Sequence, residues 1–439
     1  MRNRLIISIV VIAVSLIYAH PRASADDQQI IQDTDIPEEN DAELILEEKS
    51  KPDLDNDVLK RDNVELSSQD ASGKAKEYLR QVIKDLTFIF TFEEEFNDNV
   101  YKKSTDETSD IITRANLGIT YKPEFTWAKG HGIITLETKG GPVSYASLNT
   151  GDEEEDFFSK IFVDYTRRKY YIGMGYGFTS TRSLGADIST SSADDTAEYW
   201  EDYRMLKIGA DWEKIPWEIK YTEEDTSYDE VYKTSDILTR SISLTQYLMV
   251  SPKTYFLINY MHETNDYPNR GSNTGGEADI FLLGVKGKIS TKINGIVTFG
   301  KQFYKPDNNN QDKEADATGI ELFYDISERL KSTLKVTKGI LATEYDTEDY
   351  VTSDEIGLSF DYSPPFSPKL TLTAKGSFED EEYASGRKDK IYSAGLEFRH
   401  SLRKWLVLVG EYEFEKRESN ISTQGYKNNI FSLKMVTQF

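Results

Sequence analysis

The chain contains no cysteine, so it has no disulfide, no thiol nucleophile, no thiolate metal ligand and no cysteine for lipid attachment. Histidine is almost as scarce, at four in 439 residues. Beyond the first 25 residues the histidines are His131, His262 and His400, which leaves little for a nucleophile–histidine site. His262 is the sole histidine expected near an outer rim, with Glu263 and Asp266 nearby, and a surface histidine in an acidic segment is the ordinary reading of that stretch. KPDNNNQDKEAD (305–316) lacks the glycine and the closing acid of a calcium loop. Neither metal-ligand spacing nor a phosphate-cradling glycine loop occurs. No enzyme activity, metal or cofactor is expected. The net charge of −24 disfavours nucleic acid, whose phosphates would be repelled. Past the N-terminus there is no run of 18 apolar residues, so no helix is expected to span a membrane.

The first 25 residues read as a secretory signal peptide. Arg2 and Arg4 precede an apolar run from Leu5 to Ala19, and Ala23-Ser24-Ala25 supplies small residues for cleavage. Residues 26–84 form an acidic, aromatic-poor tail, expected to be weakly ordered in the periplasm. A short amphipathic helix is expected over 67–84, where Tyr78, Leu79, Val82 and Ile83 recur at helical spacing.

From residue 85 onward the pattern changes to a period of two. Eighteen alternating segments are predicted, near 85–96, 110–121, 130–140, 156–166, 169–181, 201–213, 216–224, 236–248, 252–264, 277–289, 292–304, 314–326, 329–342, 352–362, 367–379, 390–401, 404–416 and 425–439. In 367–379, Leu370, Leu372, Ala374, Gly376 and Phe378 oppose Thr371, Thr373, Lys375, Ser377 and Glu379. The connections alternate between short (STK, TRRKY) and long (NDYPNRGSNTGGE, TEYDTEDYVTSD), as in an outer-membrane barrel. The first and last connections are both long, which makes the strand number even and puts both chain ends on the short-turn, periplasmic side. A sheet in a bilayer must close, because the hydrocarbon offers no water to an open edge. The expected fold is therefore all-β: a transmembrane antiparallel β-barrel of about 18 strands in the bacterial outer membrane, over residues 85–439. Tyr121, Trp127, Tyr165, Trp212, Trp217, Tyr324, Tyr362 and Trp405 fall near turns, where aromatic girdles belong.

A barrel of this size is too wide for side chains to fill, so a channel is expected. Alternation assigns Lys160, Asp164, Lys207, Asp211, Glu218, Lys220, Glu321, Asp325, Lys375, Glu379, Glu397, Arg399 and Lys434 to its lining. Both signs are present, which predicts mild cation preference or little selectivity. Phe162, Tyr171 and Phe323 are inner-face aromatics able to stack on sugars. No connection is clearly built as a constricting loop folded into the bore, though the segment 184–203 is long enough for one.

Phe96-Asn97-Asp98-Asn99-Val100-Tyr101 followed by Ser109-Asp110, and Tyr412, Arg417-Glu418-Ser419-Asn420 and Tyr426 before the last strand, resemble the β-barrel porin-2 family. The resemblance spans 85–439. It implies an eighteen-stranded outer-membrane channel associated with exopolysaccharide biosynthesis, serving as the exit pore for the polymer. It also implies a periplasmic polysaccharide-export protein as partner, for which the acidic tail is a candidate docking segment. The alternative is a general or solute-selective diffusion porin; a barrel enzyme and an adhesin follow. The last strand, NNIFSLKMVTQF, places Phe431, Leu433, Met435 and Phe439 on one face, which resembles the assembly signal read by the barrel-insertion machinery. The remaining expected partner is outer-membrane lipid.

Overall fold

The computed structural model describes residues 85–439, except 106, 147–153, 185–195, 230–231, 271–274, 308–311, 344–347 and 349. The signal peptide, the acidic tail and the helix expected over 67–84 lie outside the described residues.

Period-2 alternation from end to end yields one closed antiparallel sheet. Its elements are β1 (Leu86–Asn97), β2 (Asp110–Tyr121), β3 (Glu124–Trp127), β4 (Gly130–Tyr145), β5 (Glu154–Arg167), β6 (Tyr170–Leu184), β7 (Thr196–Ala210), β8 (Trp217–Tyr228), β9 (Ile237–Ser251) and β10 (Thr254–Asp266). They continue as β11 (Gly275–Lys288), β12 (Ile293–Pro306), β13 (Lys313–Ser327), β14 (Leu330–Leu341), β15 (Val351–Tyr362), β16 (Leu370–Tyr383), β17 (Lys388–Arg403), β18 (Leu406–Ser419) and β19 (Tyr426–Gln438). Both β2 and the four-residue β3 pair with β4, so they share one position in the wall on either side of Lys122-Pro123. Proline cannot donate to the ladder, which explains the interruption. The nineteen elements thus make eighteen staves. β1 closes on β19 from Ile89↔Gln438 to Asn97↔Ile430, leaving no edge.

The predicted segments fall on these strands with small shifts. The largest is the segment expected over 201–213, which runs as Thr196–Ala210. Asp211 and Trp212 belong to the turn that follows, where the Ile215 amide bonds the Trp212 carbonyl at 2.7 Å. The Ala128-Lys129 connection has both residues at positive φ (48° and 66°), as a two-residue hairpin turn requires.

Side-chain exposure separates the two faces. Leu117 (59%), Leu283 (54%), Leu396 (60%) and Leu433 (50%) stand exposed on one face of their strands, while Arg114, Lys286, Glu397 and Lys434 take the other. The apolar face suits lipid and the charged face suits water, so the charged face is the lumen. The two rims of the outer face differ. At the short-turn end it carries Trp127, Tyr165, Tyr170, Trp212, Trp217, Tyr324, Tyr362, Trp405 and Phe439, with ring contacts such as Tyr170–Trp212 (6.4 Å) and Trp405–Phe439 (5.8 Å). At the long-loop end it carries a second set of rings, with Phe96–Phe431 (6.5 Å), Phe281–Phe303 (6.3 Å) and Phe378–Tyr392 (5.2 Å) in contact, and ion pairs as well. Arg240 links Glu223 (3.1 Å) and Asp266 (2.9 Å), Lys301 links Glu314 (2.9 Å) and Asp316 (2.8 Å), and Lys338 meets Asp354 (2.8 Å). Aromatic rings therefore flank the apolar band toward both ends of the barrel.

Candidate functional site

The lumen wall is lined by the inward positions of every strand. The register places Lys160, Asp164, Lys207, Glu218, Lys220, Glu321, Asp325, Lys375, Glu379, Glu397, Arg399 and Lys434 on this face. Asp211 lies just past the end of β7, in the turn. The charges pair along the wall, between neighbouring strands, across an intervening strand or within one strand. Lys160 meets Glu137 at 2.8 Å, Lys207 meets Asp164 at 2.9 Å and Lys434 meets Glu93 at 3.5 Å. Lys375 bridges Glu411 (2.9 Å) and Glu413 (2.5 Å), and Arg399 lies 3.5 Å from Glu397. Tyr171 donates to Glu218 (2.8 Å), and the Ser353 hydroxyl donates to Glu379 (2.6 Å). Such pairs are partly solvated and add little stability. Their consequence is electrostatic: most of the basic groups are matched by a carboxylate. On β16–β19 and β1, Glu379, Glu381, Glu397, Glu411, Glu413, Glu415, Glu93 and Glu95 outnumber Lys375, Arg399, Arg417 and Lys434, so this sector of the wall is acidic.

At the long-loop end the connections fold inside the wall. Ala278, Ile280, Tyr304 and Ala317 point inward on β11–β13, yet each is at least nine-tenths buried. An inward residue facing a water-filled bore would be wet. Tyr350, from the connection after β14, packs on this patch, its ring 5.2 Å from Tyr304. The same device recurs twice. Tyr232, from the β8–β9 connection, covers inward Ala197 and Tyr228. Val100, from the β1–β2 connection, covers inward Ile112 and Val143. Each inserted side chain gains burial that a loop standing in water would forgo.

Arg270 ties three of these connections together. It is 7% exposed, and its guanidinium donates to the carbonyls of Thr234 (2.9 Å), Glu348 (3.2 Å) and Thr343 (3.2 Å) while stacking 3.8 Å over Tyr267. The Thr343 amide in turn donates to the Tyr267 hydroxyl at 3.0 Å. The Glu348 carboxylate then accepts from the Ser385 amide (2.9 Å) and hydroxyl, reaching the β16–β17 connection. Beyond it, the Arg387 guanidinium chelates the fully buried Asp389, with Arg417 at 3.9 Å. Lys102 meets Glu415 at 3.4 Å, and Asn99 donates to the Lys427 carbonyl at 2.8 Å, which brings the series of contacts to the β1–β2 connection. Among the described residues these contacts make a partial collar inside the mouth, from the β8–β9 connection round to the β1–β2 connection.

Sequence reasoning did not find this collar. It saw no connection clearly built to fold inward and noted only the length of 184–203, of which 185–195 lie outside the described residues and Thr196 onward belongs to β7. The usable signal was weak: tyrosine or valine within otherwise polar connections at Val100, Tyr232 and Tyr350. His262 sits on the outer face, 3.0 Å from Asp279, which also accepts from the Tyr260 hydroxyl at 2.7 Å. Among the described residues no cluster of histidine, aspartate and glutamate is arranged to hold a metal.

On the last strand, Phe431 (51%), Leu433 (50%) and Met435 (37%) are exposed on the lipid face, and Phe439 exchanges backbone bonds with Phe88 at 2.9 and 3.0 Å.

Residues 351–439 match the family described as Putative beta-barrel porin 2, the family whose features the sequence resembles. No curated protein matches the chain. Among solved structures the chain is similar to OccAB3 of Acinetobacter baumannii, at 10% identity and a TM-score of 0.50, covering 81% of this chain and 99% of that one. It is also similar to OccAB2 of the same organism, at 9% identity and a TM-score of 0.51, covering 82% of this chain and 99% of that one. At such identities the likeness is one of fold: a closed outer-membrane barrel of the porin kind.

Proposed function

We propose that the protein is a solute-selective diffusion channel of the outer membrane, with both chain ends in the periplasm and the long connections outside. The observation that supports this most strongly is the collar. A bore narrowed by backbone that is tied through Arg270 and seated on three apolar patches admits small molecules and resists an extended polymer. The paired lumen charges and the acidic sector give mild cation preference. The test is reconstitution of the full chain in planar bilayers and in liposomes offered solutes of graded size. Discrete conductance steps with a size cut-off are expected. Absence of conductance, or free passage of long polymers, would refute the proposal.

The match over 351–439 supports a second reading, the exit pore for an exopolysaccharide working with a periplasmic export protein docked on residues 26–66. A deletion strain that still secretes full-length polymer would exclude it.

A further inference from the structure

The inner wall over β5–β8 differs from the rest of the lumen. Phe162 faces Gly175 directly across the β5–β6 ladder, and Tyr171 faces Gly209 across β6–β7. In each case the ring occupies the space a side chain on the glycine would take. A Cβ on Gly175 would lie 2.2 Å from the Phe162 ring, and one on Gly209 would lie 2.3 Å from the Tyr171 ring. The rings therefore lie along the wall over bare backbone, with one face against it and the other toward the bore. Tyr203 adds a third ring, 6.5 Å from Phe162.

Between the rings sit matched charges. Lys207 folds its aliphatic stem over Gly173 to reach Asp164 at 2.9 Å. Lys160 reaches Glu137 at 2.8 Å. Inward positions on one strand recur about every 6.8 Å, so rings and ion pairs alternate at that interval along the wall. From the short-turn end the order is Tyr171 with Glu218, then Lys207 with Asp164, then Phe162 with Tyr203, then Lys160 with Glu137.

We propose that this track binds saccharides in transit, which rests on the reading of the protein as a channel. A pyranose presents an apolar face of C–H groups and a rim of hydroxyls. The ring faces suit the first, and the paired carboxylates and ammonium groups suit the second, because each pair holds both acceptors and donors. Neutrality of the pairs favours an uncharged polyol over an aromatic acid, which the acidic sector opposite would repel.

The experiment is single-channel recording of the full chain with neutral glucose oligomers of two to seven units added to one side. Polyethylene glycol of matched hydrodynamic size and benzoate serve as controls. Transient current blocks by the oligomers, longer with added units and absent with the polyether, are the expected result. Phe162→Leu and Tyr203→Leu keep apolar volume but remove the flat faces; each is expected to weaken the block on the order of tenfold in channels that still fold and conduct. Gly175→Ala, which lifts the Phe162 ring from the wall, is expected to do the same. An open channel with no block by oligomers, equal block by the polyether, block by benzoate alone, or unchanged block in the folded leucine variants would each overturn the track. Failure to conduct at all would instead refute the channel reading.

Discussion

Arg270→Ala tests the collar most directly. The wild-type guanidinium is buried, donates to three carbonyls on two other connections and stacks on Tyr267. A hydrogen bond from a charged group is worth roughly 1.5–3 kcal/mol when its partner stays buried. Here the connections can lift and let the carbonyls find water, so about 1 kcal/mol per bond is the better figure, near 3 kcal/mol in all. Loss of the stacking adds roughly 1 kcal/mol. At about 1.4 kcal/mol per tenfold, the equilibrium between seated and lifted connections should move by two to three orders of magnitude, roughly. The strand ladders are untouched, so the variant should insert and keep its resistance to denaturation by detergent. The expected readouts are larger open-channel conductance, greater current noise, and protease cleavage within 229–236, 267–274 and 342–350. Arg270→Lys keeps the charge without the fork, and should fall between the two. A folded Arg270→Ala protein with wild-type conductance, noise and protease resistance would refute the reasoning.

Two further predictions concern the wall and the closure. Lys375→Glu removes the cation shared by Glu411 and Glu413 and adds a third carboxylate, so the reversal potential in a salt gradient should move toward the cation limit; an unchanged potential would mean that this sector does not face the ion path. Deleting Phe439 removes two backbone bonds to Phe88 and the stack on Trp405 from the seam where the barrel closes. It should lower the amount of folded protein in the outer membrane while export to the periplasm continues; normal levels of the truncated chain would rule this out.

Much of the barrel was legible because alternation is a local property. Each strand must present apolar groups to lipid and polar groups to water, so Leu433 and Lys434 reveal their faces without reference to any other strand. Loop length carried the parity, and with it the even strand number. The rims were half legible. Tryptophan and tyrosine announced the girdle at the short-turn end, but the ion pairs at the other rim exist only through register, as where Lys301 falls opposite Asp316.

The mouth was not legible, and the reason is physical. Arg270 bonds to backbone carbonyls 73 and 78 residues away, and a carbonyl has no sequence signature. Glycine 175 likewise reads only as a small residue in an alternating strand until the register places Phe162 across from it. By itself, then, the sequence determined that the chain forms a closed membrane barrel with a wet, charged interior, since periodicity and turn length suffice for that. Only the tertiary structure decided which connections are tied down inside the mouth and which wall offers aromatic faces, because both depend on contacts between residues far apart in the chain.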